Sequence, residues 1–166
     1  LMKKNTYIII LVMLILASAC TSTRELSEKR EIARTAHQEA VLNTIESGNY
    51  VVMVDKLYTR RYTGVDLEPR NNYLVIENNK ARINLAYIGR SYTTRAVAGI
   101  NVTGIVEEKT ITPKKKGSNL ISMKIRGGGE LFSVNVRISA SGHCQININN
   151  ARLDNVSYRG EIDLRP

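Results

Sequence analysis

The stretch ISMKIRGGGELFSVNVRIS, residues 121–139, decides the fold. Apolar and polar side chains alternate on both sides of Gly127-Gly128-Gly129, which is the pattern of two antiparallel strands that bury one face and are joined by a glycine turn. Two more alternating runs follow it, and the apolar positions of all four runs are Ile121, Met123, Ile125, Phe132, Val134, Val136, Ile138, Cys144, Ile146, Ile148, Val156, Tyr158, Ile162 and Leu164. Four successive strands of this kind predict an antiparallel meander whose inner face closes a core.

Further strands precede this meander. The expected strands are Tyr50 to Tyr58, Tyr73 to Ile76, Ala81 to Ile88, Gly99 to Val106 and Lys109 to Lys115. Asn78-Asn79 is expected at a tight hairpin turn, because asparagine tolerates positive φ, and Glu107-Glu108 is expected at the turn of another hairpin. About nine short strands and one helix predict a mainly β fold, an antiparallel meander that closes into a barrel or a strongly curved sheet over residues 49–166.

Residues 1–19 are expected to lie outside this domain. Lys3 and Lys4 form a basic start, and residues 8–16 contain no polar side chain. The apolar segment from Tyr7 to Ala19 is thirteen residues long, or roughly 20 Å as a helix, whereas a membrane core is ~30 Å thick. A basic start, a short apolar run and small residues at its end are typical of a secretory signal peptide. Cleavage is expected between Ala19 and Cys20.

Leu16-Ala17-Ser18-Ala19-Cys20 resembles the lipobox of bacterial lipoproteins. The resemblance implies that the Cys20 thiol receives a diacylglyceryl group and that its amine is then acylated, so the membrane is the first expected partner. Several acyl chains anchor a protein stably, whereas a single chain binds only reversibly. An uncleaved signal anchor and plain secretion are the alternatives. Because residues 21–25 hold no acidic run of the kind that surface lipoproteins carry, we expect the periplasmic face of the outer membrane, with surface exposure as the other option.

Residues 20–48 are expected to form a lipidated tether and one helix. Ser22 and Glu25 have the spacing of a capping box, and Gly48 is a natural helix stop. No proline or glycine interrupts residues 21–47. The helix therefore directly precedes the first strand.

The charge balance of the chain is basic. Its 166 residues include 24 Lys and Arg against 15 Asp and Glu, a formal charge of +9. Loss of Lys3 and Lys4 with the signal peptide lowers that charge to +7. Export separates the mature protein from cytoplasmic nucleic acid, so no nucleic-acid partner is expected. Lys114-Lys115-Lys116 either protects a strand end from edge pairing or contacts anionic lipid or polysaccharide.

The sequence contains no motif of a known catalytic or metal site. It has no HExxH, GxSxG or CxxC pattern and no phosphate-binding P-loop. Cys144 alternates in phase with Ile146 and Ile148, which is typical of a buried small hydrophobe, and lipidation of Cys20 leaves it no disulfide partner. We therefore expect no enzymatic activity, no catalytic residue, no metal site and no cofactor.

Two segments resemble domain-of-unknown-function family 4251, small exported lipoproteins of Bacteroidetes. They are Asn84-Leu85-Ala86-Tyr87-Ile88-Gly89-Arg90 and Val156-Ser157-Tyr158-Arg159-Gly160-Glu161-Ile162. The resemblance spans roughly residues 49–166. It implies a lipocalin-like, mostly antiparallel β-barrel with a helix before the first strand, and it implies no activity.

The residues shared with the family motifs are Tyr87, Gly89, Arg90, Tyr158 and Gly160. Tyr87 and Tyr158 are in phase with apolar neighbours, so both rings are expected in the core with their hydroxyl groups near its rim. Gly89 permits a turn, and Gly160 permits a strand bend or close packing. Ligand contact is the alternative role, and Arg90, Tyr92 and Tyr87 are the residues expected to make it.

These observations favour a non-enzymatic envelope lipoprotein that binds a small apolar or glycan ligand or an envelope protein. A structural interaction module with a filled core is one alternative. A hydrolase or isomerase with an unrecognised carboxylate, Tyr and Arg site is the other. An apolar lumen, a filled core and convergent titratable groups would distinguish the three. The oligomeric state is left open.

Overall fold

The computed structural model of the protein describes residues 26–59, 64–90 and 99–164. Helix α1 spans residues 26–47, and the strands are β1 (Asn49–Tyr58), β2 (Val65–Asp66), β3 (Tyr73–Glu77), β4 (Lys80–Ala86), β5 (Gly99–Pro113), β6 (Asn119–Gly127), β7 (Glu130–Ile138), β8 (His143–Asn150) and β9 (Leu153–Asp163). Two 3₁₀ turns lie at Pro69–Asn71 and Lys115–Gly117. The expected signal peptide and Cys20 fall outside the described residues. Within the described part of the chain, no helix is both long enough and apolar enough to cross a membrane.

The strands form a closed antiparallel barrel. The hydrogen-bonded order is β2-β1-β3-β4-β5-β6-β7-β8-β9, and an additional β1–β9 pairing joins the two ends. Strands β1 and β3 to β9 therefore make an eight-stranded barrel, and the two-residue strand β2 pairs only with β1 through Lys56 and Leu57. The predicted mainly β class, with one N-terminal helix and a meander that closes into a barrel, is confirmed.

The helix contributes to two compact units. Residues 26–37 belong to the first unit, and residues 38–164 belong to the second, which contains the barrel. In the second unit, Val41 and Ile45 are buried in the main hydrophobic cluster. Gly48, with a φ of 74°, then turns the chain from the helix into β1.

The barrel interior is filled with apolar side chains. The residues that point inward and are fully buried are Val52, Val54, Leu57, Leu74, Ile76, Ile83, Ile121, Ile125, Val134, Val136, Ile138, Ile146 and Tyr158, each 0% exposed. Outward residues between them are polar in most strands, as the alternating pattern predicts. At these levels of the barrel the lumen is therefore a packed core rather than a cavity.

The prediction of a hairpin turn at Glu107-Glu108 is wrong. Strand β5 runs without interruption from Gly99 to Pro113 and pairs with β6 on both sides of a bulge between Val106 and Glu108. The two glutamates are held by cations of β6, because Glu107 pairs with Arg126 and a Glu108 carboxylate oxygen lies 2.9 Å from Lys124 Nζ. The predicted turns at Asn78-Asn79 and at Gly127 to Gly129 are confirmed; Asn78 has a φ of 56°.

The seam between β1 and β9 contains a second bulge. Val54 pairs with Gly160 and Lys56 pairs with Arg159, so Asp55 is the extra residue of β1. A Cβ atom at Gly160 would overlap the carbonyl oxygen of Met53 and would lie 2.9 Å from the Cα of Val54. The two strands can approach at this point only because residue 160 has no side chain.

We predict that Gly160→Ala destabilises the barrel by about 1–3 kcal/mol, the usual cost of forcing extra volume into a packed site. Urea unfolding of the purified protein measures the change. Asn155→Ala is the matched control on the same strand, since Asn155 is exposed, and it should shift the unfolding free energy by less than about 0.5 kcal/mol. Equal stability of Gly160→Ala and the unsubstituted protein would contradict the steric role of the seam.

Candidate functional site

Four of the five family-motif residues, Tyr87, Gly89, Arg90 and Tyr158, come together at one end of the barrel, where β4 ends and β9 begins. The fifth, Gly160, lies at the seam between β1 and β9. The Tyr87 hydroxyl donates a hydrogen bond to the Arg90 carbonyl oxygen at 2.6 Å and accepts one from the Asp154 amide at 2.9 Å. The Arg90 amide donates to an Asp154 carboxylate oxygen at 3.2 Å. We call Tyr87, Arg90, Asp154 and Tyr158 the motif cluster. The motif cluster connects the segment that follows β4 to the first residues of β9.

The second tyrosine of the motif cluster lies deeper in the barrel. Tyr158 is fully buried, and its hydroxyl donates to the Ala86 carbonyl oxygen at 2.9 Å. Burial, with a smaller contribution from Tyr87, raises the pKa of Tyr158 well above its usual value, so the hydroxyl stays protonated. Both tyrosine rings therefore enter the core and place their hydroxyl groups on backbone partners.

The remaining residues that the sequence singled out are placed as follows. A Cβ atom at Gly89 would lie 2.7 Å from Cζ of Tyr87, so this glycine allows the tyrosine ring to fold against the turn. Arg90 uses its backbone groups in the motif cluster, and the residue itself is exposed. Tyr92, Ala19 and Cys20 lie outside the described residues. The motif cluster is thus a structural clamp, and Arg90 is its member with an exposed side chain.

A second region, on the outer surface of the barrel, was not found from the sequence. An open concavity of about 520 Å³ lies across β7, β8, β9 and β1. Three of the lining residues form one row, because Arg137 pairs with Gln145 and Gln145 pairs with Arg159. Lys56, which pairs with Arg159 on β1, continues this row just outside the lining. We call this outer surface the wall groove. Its lining also includes Tyr58, His143 and Ser157.

Some of the charged side chains in and beside the wall groove have an oppositely charged neighbour, and one does not among the described residues. Arg159 Nε lies 3.6 Å from Asp55 Oδ1, Lys56 pairs with Asp66, and His143 Nδ1 lies 3.0 Å from Glu161 Oε1. The hydrogen bond from Lys56 holds the pKa of Asp66 below its usual value. Among the described residues, no carboxylate lies within ion-pair distance of Arg137. The guanidinium of Arg137, at the β7 side of the concavity, is therefore available to an anion.

The titratable groups of the interior are held in their neutral forms. Cys144 is buried and its thiol donates to the Gly142 carbonyl oxygen at 3.3 Å. Burial raises the pKa of Cys144 to about 12 and also raises the pKa of Tyr50. The described residues include no group of three or more His, Cys, Asp or Glu side chains placed to hold a metal ion. The nucleophilic thiolate form of Cys144 is thus strongly disfavoured in the folded protein.

Comparison with known proteins gives a family match and a similar solved structure. The family model described as "Domain of unknown function (DUF4251)" matches residues 33–162. A similar solved structure is the crystal structure of a DUF4251 family protein from Bacteroides eggerthii DSM 20697 at 1.95 Å resolution, with a TM-score of 0.65 and 13% sequence identity over 76% of this chain and 87% of that chain. No curated protein matches the sequence significantly.

We predict that Tyr87→Phe destabilises the protein by about 0.5–1.5 kcal/mol, because it removes the two hydrogen bonds of the hydroxyl, while the Asp154 amide keeps its 3.1 Å bond to the Arg90 carbonyl oxygen. Urea unfolding measures the loss, and amide hydrogen exchange should show faster exchange at Asp154. Tyr73→Phe is the matched control, since Tyr73 lies on β3 and is only half buried. If both substitutions had the same small effect, the hydroxyl of Tyr87 would not be what holds the motif cluster together.

Proposed function

The chain belongs to the DUF4251 family, and from that premise and its own residues we propose that it is an exported, lipid-anchored envelope protein that acts as a non-enzymatic binding module. The proposal places the membrane anchor at Cys20 and the binding surface on the outside of the barrel. It places the protein at the outer membrane, facing the periplasm.

The anchor is supported by the sequence before the barrel. The apolar run that ends at Ala19 is too short to span a bilayer comfortably, and it is followed directly by Cys20. Residues 21–25 contain one acidic side chain, Glu25, and no acidic run. Residues 21–48 would then separate the acylated cysteine from the first strand of the barrel, which begins at Asn49.

The binding surface is supported by one observation, the packed interior. Ligand sites of small molecules typically occupy roughly 300–1,000 Å³. The inward side chains of the described strands expose no surface at most positions, so the lumen offers no such space around them. The wall groove offers about 520 Å³ at the protein surface, and its lining combines apolar surface with polar and charged side chains such as Arg137, Gln145 and Arg159. A ligand of this barrel would therefore bind to its outer face.

A non-enzymatic role is supported by the state of the interior groups. General acid–base chemistry needs a group whose pKa lies near the working pH and that can reach a substrate. Cys144, Tyr50 and Tyr158 are buried, and their pKa values are shifted away from neutrality. They act as packing and hydrogen-bonding groups.

The same packed interior favours a second candidate, a structural interaction module that binds only another envelope protein. The wall groove separates the two candidates. A concave site whose guanidinium has no carboxylate partner among the described residues suits a small anionic ligand, whereas protein docking surfaces are typically larger. We place the small-ligand candidate first for that reason.

We predict that the full-length chain, expressed in a Bacteroidetes host fed with labelled palmitate, incorporates the label at Cys20. Cys20→Ala should abolish the label, because it removes the thiol that receives the diacylglyceryl group. Cys144→Ala is the control, since it removes the other cysteine and should leave labelling unchanged. Label that persisted in Cys20→Ala would overturn the anchor. External protease on intact cells should spare the protein, and digestion without lysis would assign it to the cell surface instead.

We also predict that the folded protein gives no saturable fluorescence increase with an apolar probe such as N-phenylnaphthylamine. The reason is that a packed lumen cannot admit the probe without opening a cavity. The measurement is a fluorescence titration of the detergent-free Cys20→Ser protein. Saturable binding that is removed by Ala81→Leu, which adds volume at a buried position of β4, would place the ligand in the lumen and contradict the proposal.

A further inference from the structure

We propose that the wall groove is a binding site for a carboxylate-bearing saccharide, with Arg137 as the residue that holds the carboxylate. This inference rests on the proposed function, because it names the ligand class of the same outer surface. It is carried by the juxtaposition of Arg137, Gln145 and Arg159 in one row across three strands of the groove.

The spacing of the row suits a ligand of more than one ring. Neighbouring strands lie about 4.8 Å apart, so Arg137 and Arg159, two strands apart, are separated by roughly 10 Å along the row. Gln145 lies between the two arginines, and its amide supplies both a donor and an acceptor. A saccharide ring presents hydroxyl groups at this spacing, and each needs a donor or an acceptor on the protein.

The charges around the wall groove favour an anionic ligand. Lys56 and Arg159 each have a carboxylate of the chain beside them, Asp66 and Asp55, whereas Arg137 has none within ion-pair distance among the described residues. A guanidinium forms paired, charge-assisted hydrogen bonds with a carboxylate, and these are roughly twice as strong as neutral ones. An anionic ligand would therefore orient with its carboxylate toward Arg137 and its uncharged portion toward Gln145 and Arg159.

The lining suits a saccharide, because it combines apolar surface with polar side chains, and a sugar ring presents both C–H faces and hydroxyl groups. The lining residues at outward strand positions are Tyr58, Arg137, His143, Gln145, Ser157 and Arg159, and Ser118 and Ser139 lie at its edge. Cys144 and Tyr158 also border it, but their side chains point into the core. Apart from Tyr58 the outward set is polar, and a tyrosine beside amide and guanidinium groups offers a ring face for stacking and a hydroxyl for hydrogen bonding.

The test is isothermal titration calorimetry on the full mature chain in detergent, with trigalacturonate and galactotriose as probes. The two probes share their ring size and differ in carboxylate against hydroxymethyl groups. Trigalacturonate should bind at least tenfold more tightly than galactotriose, and the difference should shrink as salt is added. Arg137→Gln should weaken trigalacturonate binding about tenfold and leave the midpoint of thermal unfolding unchanged.

Arg82→Gln is the matched control. Arg82 is an exposed arginine of β4, four strands away from β8 around the barrel, so its substitution should leave the affinity for trigalacturonate unchanged. Equal binding of the two probes, equal losses in Arg137→Gln and Arg82→Gln, or no heat with trigalacturonate would each overturn the proposal. Tighter Arg137-dependent binding of triglutamate or of anionic vesicles would overturn it in favour of an acidic peptide or a membrane surface.

The failure of this inference is distinguishable from failure of the proposed function. If Cys20 carries lipid and the apolar probe does not bind in the lumen, but trigalacturonate does not bind either, only the assignment of the ligand is contradicted. If Cys20 carries no lipid, the anchored envelope role falls even when Arg137 binds the acid.

Discussion

The pairing of β1 with β9 is the constraint on which the rest of the barrel depends. A sheet of this size that stayed open would expose two rows of unpaired backbone groups, and closure removes both edges. Closure requires β9 to approach the backbone of β1 beside Met53, and Gly160 permits that approach because it has no Cβ atom. The bulge at Asp55 bends β1 at the same level.

The same bulge determines what faces inward and what faces outward. Before Asp55, the inward residues of β1 are Val52 and Val54; after it, Leu57 is buried. Without the extra residue, simple alternation would turn Lys56 into the core. The bulge instead places Lys56 on the outer surface opposite Arg159. The seam that closes the barrel thus also sets Lys56 beside Arg159, next to the wall groove.

The fold class, the helix and most strands could be predicted from the sequence, because the alternation of apolar and polar residues along a strand follows directly from the burial of one face. It failed at Glu107-Glu108, where alternation breaks without a residue that favours positive φ. The true turns at Asn78-Asn79 and at Gly127 to Gly129 contain such residues, whereas a charged pair inside a strand is accommodated by a bulge opposite basic partners. The wall groove could not be predicted either, since Arg137, Gln145 and Arg159 become neighbours only through the register of three strands. The tyrosines of the motif cluster could be predicted to be buried, but their hydrogen-bond partners at Arg90 and Asp154 could not.

Stability also disfavours a ligand site in the interior of this barrel. Residual cavities cost about 24 cal/mol per Å³, so emptying roughly 300 Å³ of a packed lumen would cost about 7 kcal/mol. That is comparable with the whole folding free energy of a typical domain, about 5–15 kcal/mol. Outward side chains carry no such penalty, because each alternate position of a strand already faces water. In a small barrel filled with isoleucine, valine and leucine, substitutions at Arg137 or Gln145 therefore cost little folding free energy. Substitutions at Ile146 or Val136 instead destabilise the fold itself.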